Sequence, residues 1–221
     1  VNFGKAEGFL PAKEQIPNEK FRQGNRIRAY ILNVDKTSKG PQIILSRTHP
    51  GFLKRLFELE VPEIFEKIIE IKAVAREPGE RAKIAVTSID QRIDPVGACV
   101  GIRGSRVQGI VRELNNERID VIQWSSNPEV FVTHSLSPAK IVHIIIKPEE
   151  KSMDVVVEDD KLSLAIGKSG QNARLASKLT GWKINILSDT EYKQSKRKKE
   201  ETATELSQMS GIGEKLSEKL I

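Results

Sequence analysis

Apolar and polar positions alternate with a period of two from Arg26 to Val34, with Ile27, Ala29 and Ile31 on one side. That pattern predicts a strand with one buried face. Gln42 to Arg47 reads as the returning strand, and Thr37-Ser38-Lys39-Gly40-Pro41 between them is a turn sequence. Short apolar stretches at Val1–Phe3 and Gly8–Leu10 come earlier, followed by a Pro-bounded loop from Pro11 to Pro17. Three strands within fifty residues predict the later part of a small β-barrel.

From Pro50 the period lengthens, and Phe52, Leu53, Leu56 and Phe57 fall on one face of a helix that ends near Val61-Pro62. Ile68–Ala75 and Ala82–Ile89 then read as strands joined by Glu77-Pro78-Gly79-Glu80. They lead into an apolar helix (Asp94 to Val100) and the turn Gly101-Ile102-Arg103-Gly104. An amphipathic helix from Ser105 to Leu114 and a strand at Ile119–Ile122 complete the unit. The same order returns. A helix near Pro128 to Ser135 precedes strands at Ile141–Ile146 and Ser152–Val157. A helix at Lys161–Ile166, the turn Gly167-Lys168-Ser169-Gly170, a helix at Gln171–Leu179 and a strand at Lys183–Leu187 follow. Such a spacing exceeds that of solenoid repeats and matches one small domain, so the chain carries a tandem α-β-β-α-α-β unit.

At 221 residues, with 38% hydrophobic and 30% charged positions, several small domains fit better than one large core. The net charge of +6 is a mild excess. Its placement is the informative part: Arg103, Arg106, Arg112, Lys168, Arg174 and Lys178 all lie in or just after the Gly-x-x-Gly turns. The single cysteine, Cys99, has no intrachain disulfide partner and reads as a small apolar helix residue, in keeping with a reducing cytosol. No apolar run reaches the ~18–20 residues of a membrane span, and no signal peptide opens the chain. Because Val1 starts inside a strand pattern and Ile221 ends inside a helical one, the sequence is expected to be a fragment of a longer protein.

A helix–Gly-x-x-Gly–helix turn gathers backbone N–H groups and the positive end of the second helix at one point, which suits a nucleic-acid backbone. Gly101, Gly104, Gly167 and Gly170 permit the reversal and let a phosphate approach the main chain. Ile102, Arg103, Lys168 and Ser169 occupy the variable positions, where charge is useful. Ser105, Arg106 and Gln108, and likewise Gln171, Asn172 and Arg174, start the following helices within reach of phosphate, sugar or base edges. The plain alternative is a helix–helix turn in which glycine serves only as a C-cap. It suffices for one loop alone; repetition in matching context speaks against it. Bases would lie along aliphatic residues such as Val100, Val107 and Ile119, or Ile166, Ala173 and Ile184, which also serve the core. The 5% aromatic content offers no exposed stacking sheet in either repeat.

Other chemistries fail on spacing. Gly167-Lys168-Ser169 resembles the end of a P-loop, but its first glycine falls on Leu162 and a helix precedes it. His49, His134 and His143 stand far apart without ligand-spaced partners, so no metal or cofactor is expected, and the histidines read as structural. No nucleophile motif is present, and Asp159-Asp160 reads as a helix N-cap, so no catalytic site is expected. The stretch from Tyr192 to Glu201, with Lys196-Arg197-Lys198-Lys199, reads as a solvated helix or linker, or as an auxiliary phosphate contact. Leu206 to Leu216 resembles the start of a helix-hairpin-helix and leaves nucleic-acid or protein contact open.

The runs Asp94 to Gly101, Arg103-Gly104, Arg106-Val107-Gln108, Ala165-Ile166-Gly167, Gly170 to Ser177 and Gly181-Trp182 resemble the RNA-binding core of the NusA family of bacterial transcription factors. Gly40-Pro41-Gln42, Leu45-Ser46-Arg47 and Val61-Pro62-Glu63-Ile64 match it as well, and the similarity covers about residues 1 to 190. It implies an α+β multidomain chain. A partial OB-fold barrel over 1–48 leads into type II KH domains over 49–126 and 127–190, and 191–221 form a charged linker and truncated helix-hairpin-helix-like segment. It implies a non-enzymatic, cytoplasmic, monomeric protein that holds single-stranded nascent RNA and modulates pausing, termination and antitermination. RNA polymerase and other Nus transcription factors are the implied partners, and Arg47 at the barrel–KH junction becomes a further RNA contact. The family's amino-terminal polymerase-binding domain and the opening barrel strands have no counterpart here. RNA binding should therefore outlast pause stimulation, and the barrel edge should be open. A region of a phosphorolytic exoribonuclease is the alternative, although there KH precedes OB; a ribosome-associated KH protein is the other.

Overall fold

The computed structural model describes residues 1–4, 6–37 and 40–208, with side chains described to residue 198 apart from that of residue 37. Strands β1 (Gly8–Phe9), β2 (Tyr30–Thr37) and β3 (Gly40–Ser46) form a sheet in the order β1-β3-β2, parallel between β1 and β3 and antiparallel between β2 and β3. This is the partial barrel. It departs from the sequence reading in two places. Val1–Phe3 is not a strand and contributes only a bridge between Asn2 and Glu7. The period-two run enters the sheet at Tyr30 instead of Arg26.

The first repeat follows as α1 (Pro50–Glu60), α2 (Pro62–Phe65), β4 (Ile69–Glu77), β5 (Arg81–Ser88), α3 (Pro95–Val100), α4 (Ser105–Glu113) and β6 (Arg118–Gln123). The second is α5 (Pro128–Ser135), β7 (Ile141–Lys147), β8 (Ser152–Val157), α6 (Leu162–Ile166), α7 (Gln171–Thr180) and β9 (Lys183–Ser188), and α8 (Asp189–Gln208) continues from it. Each repeat has the sheet order and pairing of the other: an antiparallel hairpin with a bulge in its first strand, then a parallel third strand reached through two helices. Parallel neighbours require such a crossover. The proposed helix-hairpin-helix start lies largely outside the described residues. The expected solvated helix is observed as α8, whose Lys193 and Lys196 are exposed.

Local chemistry sets the element ends. His49 Nδ1 accepts from the Gly51 amide at 3.0 Å and Pro50 fills the first helical position of α1. Asp94 accepts from the amides of Val96 and Gly97, both at 3.0 Å, and caps α3. Asp159 does not cap α6; its carboxylate accepts from the Thr190 hydroxyl at 2.9 Å, and its pKa is lowered chiefly by that bond.

Two compact units arise. The first holds 1–135 with 178–180, and the second 136–177 with the described residues from 181. The core of the first unit joins one face of α1 (Phe52, Leu53, Leu56, Phe57) to Ala82, Ile84 and Val86 of β5 and to Cys99, Ile110 and Leu114. Ile16, from the barrel loop, is buried in the same cluster and lies against Gly79, where an added Cβ would sit 2.8 Å from its Cγ2. In the second unit Met153, Val155 and Val157 of β8 are buried, as are Ala165, Leu175 and Ala176.

Charges are also buried in the first unit. Arg76 on β4 grips Glu117 through two bonds, Nε to Oε1 at 2.7 Å and Nη2 to Oε2 at 2.9 Å, with both side chains at most 1% exposed. Lys83 on β5 is fully buried, with its ammonium 2.9 Å from Asp120. Burial lowers the Lys83 pKa against the opposing pull of Asp120.

Glu117→Leu strands the Arg76 guanidinium and is expected to cost about 3–5 kcal/mol in urea unfolding, with part of the loss recovered in Arg76→Met/Glu117→Leu. For Lys83 the sign follows from linkage. Between its lowered folded pKa and the ordinary lysine value, the unfolded chain binds more protons, so stability rises with pH across that window. The rise should shrink in Lys83→Met when unfolding is measured at successive alkaline pH values against wild type.

Candidate nucleic-acid interface

Both Gly-x-x-Gly turns have one backbone conformation. Gly101 (φ 76°, ψ 172°), Arg103 (51°, 28°) and Gly104 (78°, 13°) are matched by Gly167 (75°, 171°), Ser169 (51°, 30°) and Gly170 (73°, 13°). Three of the four residues in each turn have positive φ, including the non-glycine Arg103 and Ser169, a strained arrangement that the surrounding structure must enforce. The turn closes through the amide of its last glycine, which donates to the carbonyl of its first, at 3.0 Å in one loop and 3.1 Å in the other.

The two glycines of a turn differ in kind. A Cβ on Gly167 would lie 2.8 Å from the Asn172 Cβ and 2.9 Å from its backbone nitrogen; on Gly101 it would lie 2.8 Å from the Arg106 Cγ. The first glycine therefore admits the next helix. The last one faces open space, with no atom nearer than 3.9 Å to such a Cβ in either loop. It also stands at the N-cap of α4 or α7, where glycine has no side chain with which to bond the helix amides. Helices of nine and ten residues thus turn their positive ends toward a glycine with room around it.

The expected side chains sort into three groups. Ile102, Arg103, Ser105 and Gln108 are exposed around the first turn, as are Lys168, Ser169 and Arg174 around the second, with Gln171 half-buried. Arg174 Nη1 donates to the Ser169 carbonyl at 3.0 Å, which fixes it over the loop. Arg106 is half-buried and braces its loop: Nη1 donates to the Ala98 carbonyl at 2.6 Å and to Glu63 at 3.0 Å. Asn172 and Arg47 lie deeper than the others. Asn172 is 1% exposed and spends its Nδ2 on the carbonyls of Ala165 and Leu136, so it supports the second turn from within.

The Arg47 side chain is 4% exposed, and its donors are taken. Nη2 reaches Glu19 at 2.6 Å and the Glu113 carbonyl at 2.8 Å; Nη1 reaches the Glu113 carboxylate at 3.0 Å and the Arg28 carbonyl. The Arg47 guanidinium carbon lies over the Phe52 ring, 5.1 Å from the ring centroid. Burial by itself lowers the Arg47 pKa, but the bonds and charges of Glu19 and Glu113 outweigh it and the net direction is up. These bonds join the barrel to the first repeat. Sequence reading missed the Arg47 partners Glu19 and Glu113, and also Glu63. For the buried cations Arg76 and Lys83 a signal was available, a charged residue within an apolar strand run, after Val74-Ala75 and between Ala82 and Ile84.

All six aliphatic residues expected beside the loops are half-buried: Val100, Val107 and Ile119, and Ile166, Ala173 and Ile184. Val107 and Ile119 pack against the core, which confirms their shared duty. Cys99 is buried directly before the first turn; burial and Glu63 push its thiol pKa to about 12, so it offers no nucleophile.

Comparison with known families is decisive here. The S1 RNA binding domain matches residues 1–47, the NusA-like first KH domain residues 47–124, and the NusA-like second KH domain residues 128–194. The chain holds one S1 domain and two domains of the NusA-like KH family. It is 59% identical over 191 residues to the transcription termination/antitermination protein NusA of Halalkalibacterium halodurans, covering 86% of this chain and 50% of that one. Against the protein of the same name from Bacillus subtilis it is 57% identical, covering 88% and 52%, and against that of Thermus thermophilus 50% identical, covering 84% and 48%. The chain thus spans about half the length of these curated relatives. Both Gly-x-x-Gly turns fall inside the KH matches, and Arg47 falls at the S1–KH junction. Among the described residues no helix is long and apolar enough to cross a membrane.

The steric asymmetry within each KH turn predicts unequal mutants. Gly167→Ala is expected to destabilise more than Gly170→Ala. The first must relieve a backbone clash at a φ/ψ nearly restricted to glycine, while the second meets only the left-handed penalty of about 1–2 kcal/mol. Thermal melting of the two variants by circular dichroism checks the order.

Proposed function

We propose that this chain is the RNA-holding core of a NusA-type transcription termination/antitermination factor. Nascent single-stranded RNA is its ligand, and each KH turn holds the backbone of about four nucleotides. The observation that carries this reading is the pair of turns with one backbone conformation, each open at its last glycine and each ringed by exposed Arg103 or Lys168. Phosphate meets helix amides and a basic side chain there; bases lie along the half-buried aliphatic residues. The contacting set is Gly101 to Arg106 and Gln108 in the first KH domain, and Gly167 to Gln171 with Arg174 in the second. Tethering two weak clamps on one chain raises the effective concentration of the second, so avidity exceeds either affinity by about 10²–10⁴.

The activity is binding without catalysis. The chain acts as a monomer in the cytoplasm, holding transcript near RNA polymerase and other Nus factors so that pausing, termination and antitermination respond to it. The names of the relatives support this assignment.

The test is binding of an unstructured RNA of about 10–12 nucleotides by fluorescence anisotropy across a salt series. Four phosphate contacts give a slope of log K against log salt of about −3. Ile102→Asp/Arg103→Asp and Lys168→Asp/Ser169→Asp should each weaken binding, and together abolish it, with the circular dichroism spectrum preserved. Unchanged binding in the folded variants would mean that the turns are scaffolding.

A further inference from the structure

The fifth residue after the first glycine performs the same task in both KH turns with different chemistry. In the second it is Asn172, a neutral amide buried to 1%, bonded to the Ala165 carbonyl at the end of α6. In the first it is Arg106, bonded to the Ala98 carbonyl near the end of α3. Its stem lies against Gly101 just as the Asn172 stem lies against Gly167. A neutral amide suffices for the brace, so the guanidinium brings something extra: a full charge in the first turn of α4, with five N–H donors. Its side chain is 31% exposed. That charge is cancelled from within the domain by Glu63 of α2, whose carboxylate lies 3.0 Å from Nη1 and is itself 28% exposed.

We infer that Glu63 is a built-in competitor of the RNA backbone for Arg106, so the affinity of the first KH turn is set by an ion pair that a phosphate must displace. This rests on the proposed RNA-holding function. The Glu63 carboxylate and a phosphate oxygen are both anionic acceptors, and one guanidinium serves either with similar geometry. Arg106 lies in the first turn of α4, where the helix N-terminus also attracts an incoming phosphate. While Glu63 holds Arg106, that arginine adds little to the field met by incoming RNA. The second turn has no ionic counterpart at this position, because Asn172 carries no charge. The two turns, alike in backbone, therefore respond differently to ionic strength.

The test is a double-mutant cycle on the full chain, using the same 10–12-nucleotide RNA across a salt series. Glu63→Gln keeps the shape of the side chain and releases the charge of Arg106. It should tighten binding at low salt about two- to fivefold, the scale of a partly exposed ion pair. The salt slope should steepen by about 0.7, one further phosphate on a single strand. Arg106→Asn gives the first turn the brace of the second. In that background Glu63→Gln should leave the slope where it was. An equal steepening in both backgrounds makes Glu63 a general repulsive charge and overturns the inference, as does an unchanged or weakened affinity for Glu63→Gln with an intact circular dichroism melt. Absence of any RNA binding by the wild type overturns the functional reading itself, and this inference with it.

Discussion

Two arginines taken out of water hold the first unit together. Arg47 and Arg76 sit at the seam where the S1 strands meet the first KH domain, and the Arg76 Nη1 also donates to the Arg47 carbonyl at 2.8 Å. A guanidinium in such a place is tolerable only if its donors are met, and each partner is therefore a positional constraint. The constraints reach the barrel loop through Glu19, the end of α4 through Glu113, and the turn before β6 through Glu117. Glu117 also accepts from the Gly79 amide at 2.8 Å, which pins the β4–β5 hairpin. Helix α4 is thus held at the end opposite its Gly-x-x-Gly turn. That end is tied to a seam whose arginine side chains are at most 4% exposed.

That arrangement separates the duties of charge in this chain. Buried arginines set geometry, and exposed cations surround the turns. Net charge does not distinguish them, because Arg47 and Arg103 count equally toward +6. Lys83 shows the same division on a smaller scale: buried on the central strand of its sheet, it is balanced by Asp120, which also takes a bond from Arg81 at 2.9 Å. What separates the two duties is burial: the Arg47 side chain is 4% exposed and that of Arg106 31%.

Much of the fold was legible because both repeats express it through periodicity and turn chemistry. The hairpin at Glu77–Glu80, the capped start of α3 and the two glycine turns are local features, and local features are written in adjacent residues. The partial barrel was read less accurately. Val1–Phe3 has the composition of a strand but no partner to pair with along its length, and pairing is not a local property. The turns are visible as positions in the sequence, while the separation of their side chains into exposed and buried ones is not. Arg106 and Asn172 both follow a Gly-x-x-Gly by two residues and read alike on that basis. Only the structure shows that both stems pack against the first glycine, with Asn172 buried and Arg106 half-buried. Glu63, Glu19 and Glu113 lie 43, 28 and 66 residues from the arginines they hold, beyond any window of sequence pattern.

Cys99 gives this architecture an internal clock. Its thiol is fully buried on α3, one residue and a glycine away from the first turn, and with a pKa near 12 it carries almost no thiolate at neutral pH. An alkylating reagent reaches it only when this buried position opens to water, which restores ordinary acidity. The rate of labelling then counts openings of the segment that supports the turn, much as amide exchange counts local unfolding. One native atom, with no probe attached, thus measures how long the first KH turn stays assembled.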